Sequence, residues 1–381
     1  MKKKLLRVST VPSALYLFLD GQLKFLNQEF DVLGVSSPGK YLDMVKEREG
    51  IRVIAVEIKR QISPFNDIIS LYKLYRLFKK EKPDIVHSIT PKAGLLSMIA
   101  ARLAGVPHRL HTFTGLIFPS KTGPIKYVLI LMDRLLCQCA TNIYPEGSGV
   151  KSDLINYKIT NKPLNVIANG NVNGIDTDFF SNQLLDRQHV SYLKTQYKIQ
   201  QNDFVFVFIG RLVKDKGVNE LVKSFSNLNK KEPHIKLFLL GDFEPEFGPL
   251  EDDTLAEIKI NENIIYVGFQ TDVRPFLQVA NVFVFPSYRE GFPNAVLQAC
   301  SMSVPCIVTD VNGSNEIIEN EINGVIINPK STIELKESMA NMVGRKYDLT
   351  KMGAMSRKKM IDKFTIKLVW KCLLEEYKNL L

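Results

Sequence analysis

The sequence lacks the features that mark several large protein classes. Its five cysteines are odd in number and include no C-x-x-C pair, which argues against a disulfide framework and against a zinc site. No apolar run approaches the roughly 20 residues that span a bilayer. Neither half has G-x-G-x-x-G after its first apolar run, which weakens a dehydrogenase interpretation. We therefore expect a protein of the reducing cytoplasm, without disulfides or a transmembrane helix.

A second shortage is of acidic residues in the first half of the chain. The 381 residues include 50 Lys and Arg against 40 Asp and Glu. Residues 1–180 hold 25 of the basic and 15 of the acidic residues, so the whole excess of ten lies there. A basic half suggests an anionic partner, for which nucleic acid, an acidic bilayer surface and a phosphate-bearing substrate all qualify. A solvated basic helix face is the plainer explanation.

The pattern that is present is an alternation of short β-rich runs with helical segments. In the first half the candidate strands are LLRVST, FDVLGVS, IRVIAV, DIVHSI, HRLHTF, TNIYP and LNVIA. The second half repeats the scheme with FVFVFIG, IKLFLLG, NIIYVG, NVFVFPS, VPCIVTD and GVIIN. Continuous Val, Ile and Phe runs are typical of parallel strands that helices cover on both faces. The sequence therefore predicts an α/β protein of two doubly wound, Rossmann-like domains.

The predicted domains are residues 1–180 and residues 181–364. Their join should lie within residues 172–202, a polar stretch without a strand pattern. A last helix over about residues 365–381 follows the second series, and we expect it to pack back on the first domain. In open parallel sheets, ligands bind beyond the carboxyl ends of the strands. Two such sheets predict a central cleft between the domains.

One strand exit in the second domain carries unusual chemistry. The run NVFVFPSY is followed directly by REGFPNAVLQAC, with Glu290 and Gly291 in the exit loop. Pro293 suits the first position of a helix, whose first-turn amides around Asn294 and Ala295 favour an anion. The plainer alternative is an ordinary strand-loop-helix junction with a solvated Arg-Glu pair.

A second exit loop of the same domain strengthens the anion hypothesis. The stretch FVFVFIGRLVKDKG places Gly210, Arg211 and Lys216 just after the domain's first strand. Two cations at the same sheet edge as the helix terminus would neutralise a diphosphate, and the guanidinium adds directional hydrogen bonds. The two loops together predict a diphosphate clamp, with Glu290 near the group that the diphosphate carries.

These two loops and three other stretches carry a resemblance to a known family. The other stretches are PDIVHSITPKAGLLSMIAARLAGVPHRLHTFTGLIF, NGNVNGID and VPCIVTDVNGSNEIIENEINGVIINP. Together they resemble the retaining glycosyltransferases of GT-B fold, glycosyltransferase family four (glycosyl transferases group 1), whose bacterial members build capsule, O-antigen and exopolysaccharide chains. The resemblance covers nearly the whole chain. It implies an acceptor-binding first domain and a second domain that binds a nucleotide sugar.

The resemblance assigns roles in the second domain residue by residue. Arg211 and Lys216 match the pair that binds the donor diphosphate, and Glu290 matches the first glutamate of the family's E-x7-E pattern, which contacts the donor sugar. Gln298 stands where the second glutamate usually grips the ribose, so charge-assisted strength is lost there. The remaining donor-binding candidates form the exit loop and the helix start: Gly210, Gly291, Phe292, Pro293, Asn294 and Ala295.

The first domain departs further from the family pattern. His87 keeps the first histidine of H-x-H-T-P-K-A-G, whereas Ile89 occupies the second, and Thr114 and Gly115 stand where many relatives have a His-Gly pair. His87 is a candidate catalytic residue, with a structural role as the alternative. Thr114, Gly115 and Gly21, a pivot in the first loop, are the acceptor-side candidates. The family's usual mechanism tolerates missing histidines, because the departing phosphate takes the acceptor proton.

Two near-matches to other motifs are set aside. GLIFPSKT has Ser120 where a phosphate-binding P-loop needs glycine. The DTD at Asp176 to Asp178 looks like the metal-binding motif of the other glycosyltransferase fold, but it lies in the interdomain stretch. The resemblance implies that no metal or other cofactor is needed, so we interpret Asp176 as structural.

The resemblance implies a retaining transferase that moves a hexose or N-acetylhexosamine from a nucleotide sugar, with UDP favoured over GDP, to a glycan carried on polyprenyl diphosphate. It implies no nucleic-acid partner and a cytoplasmic protein on the inner face of the membrane, where the basic residues would meet anionic phospholipid. Two alternatives stay open. One is a nucleotide-sugar epimerase on the same scaffold, and the other is a non-catalytic partner subunit that has kept the fold.

Overall fold

The computed structural model describes residues 2–61, 63–182 and 187–381. The chain divides into two compact units. Unit 1 comprises Met1–Gly174 and Ile366–Leu381, and unit 2 comprises Ile175–Thr365. The division thus falls six residues before the boundary expected at residues 180 and 181, and inside the stretch 172–202.

The core of unit 1 is a six-stranded sheet in which all neighbours are parallel. The order is β3-β2-β1-β4-β5-β6. Lys4 pairs with Asp31 on one side of β1, and Leu5 pairs with Ile85 on the other. The strands are β1 (Lys4–Val8), β2 (Asp31–Ser36), β3 (Arg52–Ala55), β4 (Ile85–Ser88), β5 (His108–Phe113) and β6 (Asn142–Pro145).

Helices cover both faces of this sheet. Proline occupies the first turn of the helices that start at residues 12, 64 and 91, where its missing N–H costs nothing. Ser70, Leu74 and Phe78 recur every four residues and form the buried stripe of the fourth helix. The helices are α1 (Pro12–Phe18), α2 (Gln22–Leu26), α3 (Lys40–Glu49), α4 (Pro64–Glu81), α5 (Pro91–Ala104), α6 (Gly123–Cys139), α7 (Ser148–Asn156) and, from the end of the chain, α16 (Ile366–Asn379).

Unit 2 is built on a second six-stranded sheet, again parallel between all neighbours. The order is β12-β11-β10-β7-β8-β9. Val205 to Phe208 of the central strand are all buried, as expected for a strand that is covered on both faces. The strands are β7 (Phe204–Ile209), β8 (Ile235–Leu240), β9 (Ile264–Gly268), β10 (Val282–Phe285), β11 (Cys306–Thr309) and β12 (Gly324–Ile327).

The helices of unit 2 alternate with its strands. The strongest amphipathic pattern is in the helix after β7, which buries Leu221, Val222 and Phe225 in the core of the unit. The helices are α8 (Arg187–Gln196), α9 (Val218–Asn229), α10 (Asp252–Ile260), α11 (Arg274–Val279), α12 (Asn294–Ser301), α13 (Ser314–Ile317), α14 (Thr332–Val343) and α15 (Leu349–Lys363).

Both units have the doubly wound order 3-2-1-4-5-6, counted within each unit. The predicted α/β class is confirmed. In this topology the strand order reverses between the first and fourth strands, and ligands bind beyond the carboxyl ends of those strands. Ligand sites are therefore expected beyond the carboxyl ends of β1 and β4 in unit 1 and of β7 and β10 in unit 2.

Two local predictions were wrong. LNVIA, residues 164–168, is not a strand: only Leu164 forms a single parallel bridge, with Ile143 of the edge strand β6. The left-handed conformation of Ala168 and Asn171 then turns the chain away from the sheet. Pro293 is the residue before α12 rather than its first helical residue.

Across residues 2–61, 63–182 and 187–381, none of the helices combines the length and apolar character that crossing a membrane requires. The same residues contain no group of three or more His, Cys, Asp or Glu arranged to hold a metal ion.

Candidate active site

The exit loops of β7 and β10 are joined by their backbones. The N–H of Tyr288 donates to the carbonyl oxygen of Asp215 at 2.9 Å. Gly217, at φ +71°, closes the first loop, and a Cβ there would lie 2.0 Å from the carbonyl oxygen of Pro286. Only glycine permits this approach in this conformation. Gly217 was not among the predicted site residues, although it directly follows Lys216.

This joint brings two of the predicted residues into direct contact. The Nζ of Lys216, from the first loop, donates to Oε1 of Glu290, from the second loop. Both side chains are largely buried, with 17% and 12% of their surface exposed. Nζ also lies 5.2 Å from the ring centroid of Phe285, the last residue of β10. The sheet edge therefore holds a cation and a carboxylate in one fixed pair.

Arg211 is held by a neighbouring loop that the sequence analysis did not single out. Its Nη1 donates to Oε2 of Glu244 at 3.1 Å, and its guanidinium carbon lies 5.9 Å from the ring centroid of Phe247. Glu244 follows β8, the strand next to β7. The two loops start in close contact, because Gly241, at φ +136°, has its Cβ position 2.0 Å from the carbonyl oxygen of Gly210.

A third ion pair completes this edge. The Nε of Arg289 donates to Oδ2 of Asp215 at 3.2 Å, and both side chains are partly exposed. Beside this pair, the Tyr288 hydroxyl donates to Glu220 at 2.6 Å, and burial together with that bond raises the pKa of Tyr288. Three cations, each next to a carboxylate, thus stand at the place where this topology binds ligands. Such an edge can bind an anion if the carboxylates exchange places with it.

The loop before α12 is built by packing. Phe292 is buried with its ring centroid 5.4 Å from that of Phe364, so its side chain anchors the loop. Gly313, which follows β11, packs against the same loop, since its Cβ position lies 2.3 Å from the carbonyl oxygen of Gly291. This contact leaves room only for glycine at position 313.

The first turn of α12 presents backbone donors. The N–H groups of Val296 and Leu297 donate to the carbonyl oxygen of Pro293 at 3.1 and 3.3 Å. The N–H of Ala295 has no acceptor among the described residues, as expected of a helix start. Gln298, one turn further, has no side-chain partner in the part of the chain that the structure describes.

His87 lies in the interior of unit 1. Its Nδ1 is 3.1 Å from Nη1 of Arg7 and 2.5 Å from the hydroxyl of Tyr377, and its Nε2 is 2.7 Å from Oγ1 of Thr112. Because Arg7 can only donate, Nδ1 accepts, and Nε2 carries the proton that Thr112 receives. Burial and the neighbouring Arg7 hold the pKa of His87 well below its usual range. The ring is neutral and bonded on both nitrogens, which favours the structural role.

Hydroxyl groups occupy the exits of β1 and β4 in unit 1. The hydroxyls of Thr10 and Thr90 lie 2.8 Å apart, and the N–H of Ala93 donates to Oγ1 of Thr10 at 3.1 Å. Thr114 donates to the carbonyl oxygen of Ile89 at 2.9 Å, and Gly115 follows at φ +112°. The structure thus brings Thr114 next to the β4 exit. The sequence analysis missed the Thr10-Thr90 pair.

Gly21 lies elsewhere in unit 1, in a tightly packed joint. It is the left-handed residue before α2, and its N–H donates to Glu49 at 3.0 Å. A Cβ at this position would lie 2.8 Å from the Trp370 ring of α16. This packing gives Gly21 fixed partners of its own, separate from those of Thr114.

Comparisons with known proteins agree with these two units. The family described as glycosyl transferases group 1 matches residues 192–359, and the family described as glycosyl transferase 4-like matches residues 7–146. The capsular polysaccharide biosynthesis glycosyltransferase CapM of Staphylococcus aureus is 33% identical over 384 residues, covering 100% of this chain and 98% of that protein. A second relative, from Escherichia coli, is the UDP-Gal:alpha-D-GlcNAc-diphosphoundecaprenol alpha-1,3-galactosyltransferase, 31% identical over 89% of this chain and 87% of its own.

A solved structure shows the same architecture over nearly the full length. HepE of Anabaena in complex with UDP-glucose has a TM-score of 0.82 at 17% identity, and the likeness covers 99% of this chain and 100% of that one. Two doubly wound units of this kind define the GT-B class. The chain belongs to the glycosyl transferases group 1 family, and it is a glycosyltransferase.

Proposed function

We propose that this glycosyltransferase moves a hexose or N-acetylhexosamine, with retention of configuration, from a nucleotide sugar to a lipid-linked glycan in the biosynthesis of a surface polysaccharide. The observation that carries the proposal is the contact of Lys216 with Glu290 where the strand order of unit 2 reverses, in the exit loop that also carries Arg211. Cations there suit a diphosphate, and a carboxylate suits the hydroxyl groups of a sugar.

In this proposal unit 2 binds the donor. Arg211 and Lys216 take the two phosphates, and the N–H of Ala295 adds a backbone donor. Glu290 leaves Lys216 when the diphosphate arrives and accepts hydrogen bonds from the donor sugar, while Gln298 bonds a ribose hydroxyl. Negative charge grows on the diphosphate as the glycosidic bond breaks, so these groups stabilise the transition state more than the ground state. The scheme uses no metal.

The acceptor proton in this proposal goes to the departing phosphate. His87 and His111 are buried in unit 1, and burial lowers both of their pKa values. His108 is the first residue of β5, at the amino edge of the sheet, and His234 immediately precedes β8. Among the four histidines whose side chains the structure describes, none follows the carboxyl end of a strand. We therefore assign the acceptor proton to a phosphate oxygen on the sugar face that the acceptor attacks, while Glu290 serves the donor sugar.

The relatives support the substrate classes. The names of the Escherichia coli relative and of a Campylobacter jejuni relative both specify a diphosphoundecaprenol-type acceptor, and the former specifies UDP-Gal. We therefore favour a UDP-sugar over a GDP-sugar as donor and a polyprenyl-diphosphate-linked glycan as acceptor.

An exposed face of unit 1 supports a position on the membrane surface. Phe65 and Ile68 on α4 are 76% and 66% exposed, and Tyr127 and Leu131 on α6 are 70% and 61% exposed. Both helices pack on α5, and Lys73, Arg76, Lys79 and Lys80 continue the outer part of α4. Exposed apolar residues beside a basic stretch suit an anionic bilayer, where a lipid-linked acceptor resides.

Ligand-dependent thermal unfolding tests the donor site. UDP at about a hundred times its dissociation constant should stabilise the protein by roughly 2.7 kcal/mol, with or without Mg²⁺, and GDP and ADP should stabilise it less. Lys216→Ala should abolish the shift and lower turnover of the UDP-sugar about 100-fold or more. Lys214→Ala, which removes an exposed lysine from the same turn, is the matched control and should change neither. No shift with any nucleotide would contradict the proposal.

A further inference from the structure

In the proposed donor site, the carboxylate of Glu244 occupies the guanidinium of Arg211, where a donor phosphate would bind. Glu244 accepts from Arg211 at 3.1 Å, and both side chains are partly exposed, at 28% and 36%. The ring of Phe247 lies on the same guanidinium. No other carboxylate within the described ranges forms an ion pair with Arg211. In the empty site both cations of the clamp, Arg211 and Lys216, are therefore paired with carboxylates of the protein itself.

The backbone holds this carboxylate in place. Leu212 N–H donates to the carbonyl oxygen of Asp242 at 2.8 Å, and Lys214 N–H donates to that of Gly248 at 3.0 Å. These two bonds lay the segment that carries Glu244 alongside the segment that carries Arg211. The short turn from Pro245 to Phe247 starts directly after Glu244. The carboxylate therefore has a high effective concentration at the guanidinium.

We propose that Glu244 is an internal competitor of the donor diphosphate, occupying the guanidinium of Arg211 in the empty site and returning to it as the nucleoside diphosphate product leaves. This inference rests on the proposed function, since it assigns a regulation to the same site. A diphosphate and the Glu244 carboxylate cannot both bind the same N–H edge of the guanidinium, and they repel each other when close. The larger the fraction of molecules in which Glu244 is paired with Arg211, the lower the apparent affinity of the site for the nucleotide.

Glu244 differs in this respect from the other carboxylate of the site. Glu290 also faces a cation, Lys216, but the proposed function gives it a partner in the donor sugar once the diphosphate has displaced it. Glu244 has no such second task in the site. Removing its charge should therefore tighten the nucleotide, whereas removing the charge of Glu290 should weaken the binding of a nucleotide sugar.

The test compares Glu244→Gln with Glu246→Gln, which removes the same charge from an exposed residue of the same turn. Isothermal titration with UDP at low salt should show Glu244→Gln binding about fivefold tighter than both the wild type and Glu246→Gln, and the advantage should shrink at high salt. Stopped-flow measurements should show slower release of UDP from Glu244→Gln. An affinity equal to or weaker than that of Glu246→Gln would overturn the inference.

Two further variants keep the test decisive. Glu244→Asp retains the charge but shortens the side chain, so it should bind UDP more tightly than the wild type but gain less than Glu244→Gln. This comparison with the wild type can be made even if Glu244→Gln unfolds. In an Arg211→Gln background, Glu244→Gln should tighten UDP much less than in the wild type, because the competition requires the guanidinium and only direct repulsion remains. An equal gain in both backgrounds would overturn the inference. If the wild type binds no nucleoside diphosphate, the proposed function fails together with the inference; if it binds and only the expected gain is absent, the inference alone fails.

Discussion

The two units have the same strand order but different chemistry where that order reverses. In unit 2 the exits of β7 and β10 carry charge: Lys216 contacts Glu290, and Arg289 contacts Asp215. In unit 1 the hydroxyls of Thr10 and Thr90 lie at the exits of β1 and β4, and Thr114, which follows β5, donates to the β4 exit. The charged groups of unit 1 have partners away from these hydroxyls: Arg7 lies in the interior, and Lys92 is paired with Asp67. The shared topology sets where a ligand binds, and the residues at the exits set which ligand it is. Charged exits suit a diphosphate, and uncharged hydroxyls suit a sugar.

The largest expected effect comes from disrupting the backbone contact between the exit loops of β7 and β10. Gly217→Ala places a Cβ against the Pro286 carbonyl in a left-handed conformation, so we expect a loss of about 3 kcal/mol in the free energy of unfolding and loss of nucleotide binding. Gly50→Ala in unit 1 is the matched control. Its φ of +65° is similar but its Cβ position is in open space, so only about 1 kcal/mol should be lost. Urea unfolding measures both, and equal losses would contradict the role of the joint.

The second prediction concerns the buried histidines of unit 1. Burial lowers the pKa of His111 to about 3, whereas the unfolded chain binds a proton at this ring below about pH 6.5. The free energy of unfolding should therefore decrease as the pH is lowered from 6.5 to 5, by about 2 kcal/mol for this residue alone. His111→Asn should flatten the profile, and His108→Asn, at the sheet's amino edge, should not. If the stability of the wild type and of His111→Asn depended on pH in the same way, the prediction for His111 would be contradicted.

A smaller effect is expected at the hydroxyl that joins α16 to the interior of unit 1. Tyr377→Phe leaves Arg7 and His87 short of one partner, which should lower the free energy of unfolding by about 1–2 kcal/mol. Donor binding should not change, because these residues belong to unit 1. Tyr347→Phe, which removes a surface bond to Glu321, should change stability little. A change in UDP affinity on Tyr377→Phe would show that this hydroxyl of unit 1 influences nucleotide binding.

The smallest effect is expected at Gln298. In the proposed donor site, Gln298→Glu places a carboxylate where the ribose would bind and should tighten UDP two- to fivefold, which is less than about 1 kcal/mol. The gain should disappear with a nucleotide that lacks the ribose hydroxyls. Titration calorimetry with UDP and its dideoxy analogue measures both. A similar gain with the analogue would remove Gln298 from the ribose site.

The strands were predictable where burial on both faces produced unbroken apolar runs, as in FVFVFI of β7. LNVIA is also mostly apolar, but it lies beside the edge strand β6, where one bridge at Leu164 is all that forms. Composition reports the propensity of a segment and not whether a partner strand lies within reach. This is why the prediction of a seventh strand was wrong.

The candidate site was predictable only in part. The sequence could point to Lys216 and Glu290, because both lie in the short segments that follow apolar runs. It could not show that Arg211 meets Glu244, since that contact depends on β7 and β8 being neighbours. The partners of His87 are still more remote, because Tyr377 lies 290 residues further along the chain. A strand-exit rule applied to β8 would have singled out Glu244 as well.

The path of the chain through unit 1 has a consequence for the order in which the protein can form. All of unit 2 is synthesised before α16, yet α16 supplies Tyr377 to the interior of unit 1. A growing chain can therefore complete unit 2 while Arg7 and His87 still lack the hydroxyl of Tyr377. Unit 1 combines residues made before all of unit 2 with residues made after it, so it reaches its full stability only once α16 has been synthesised.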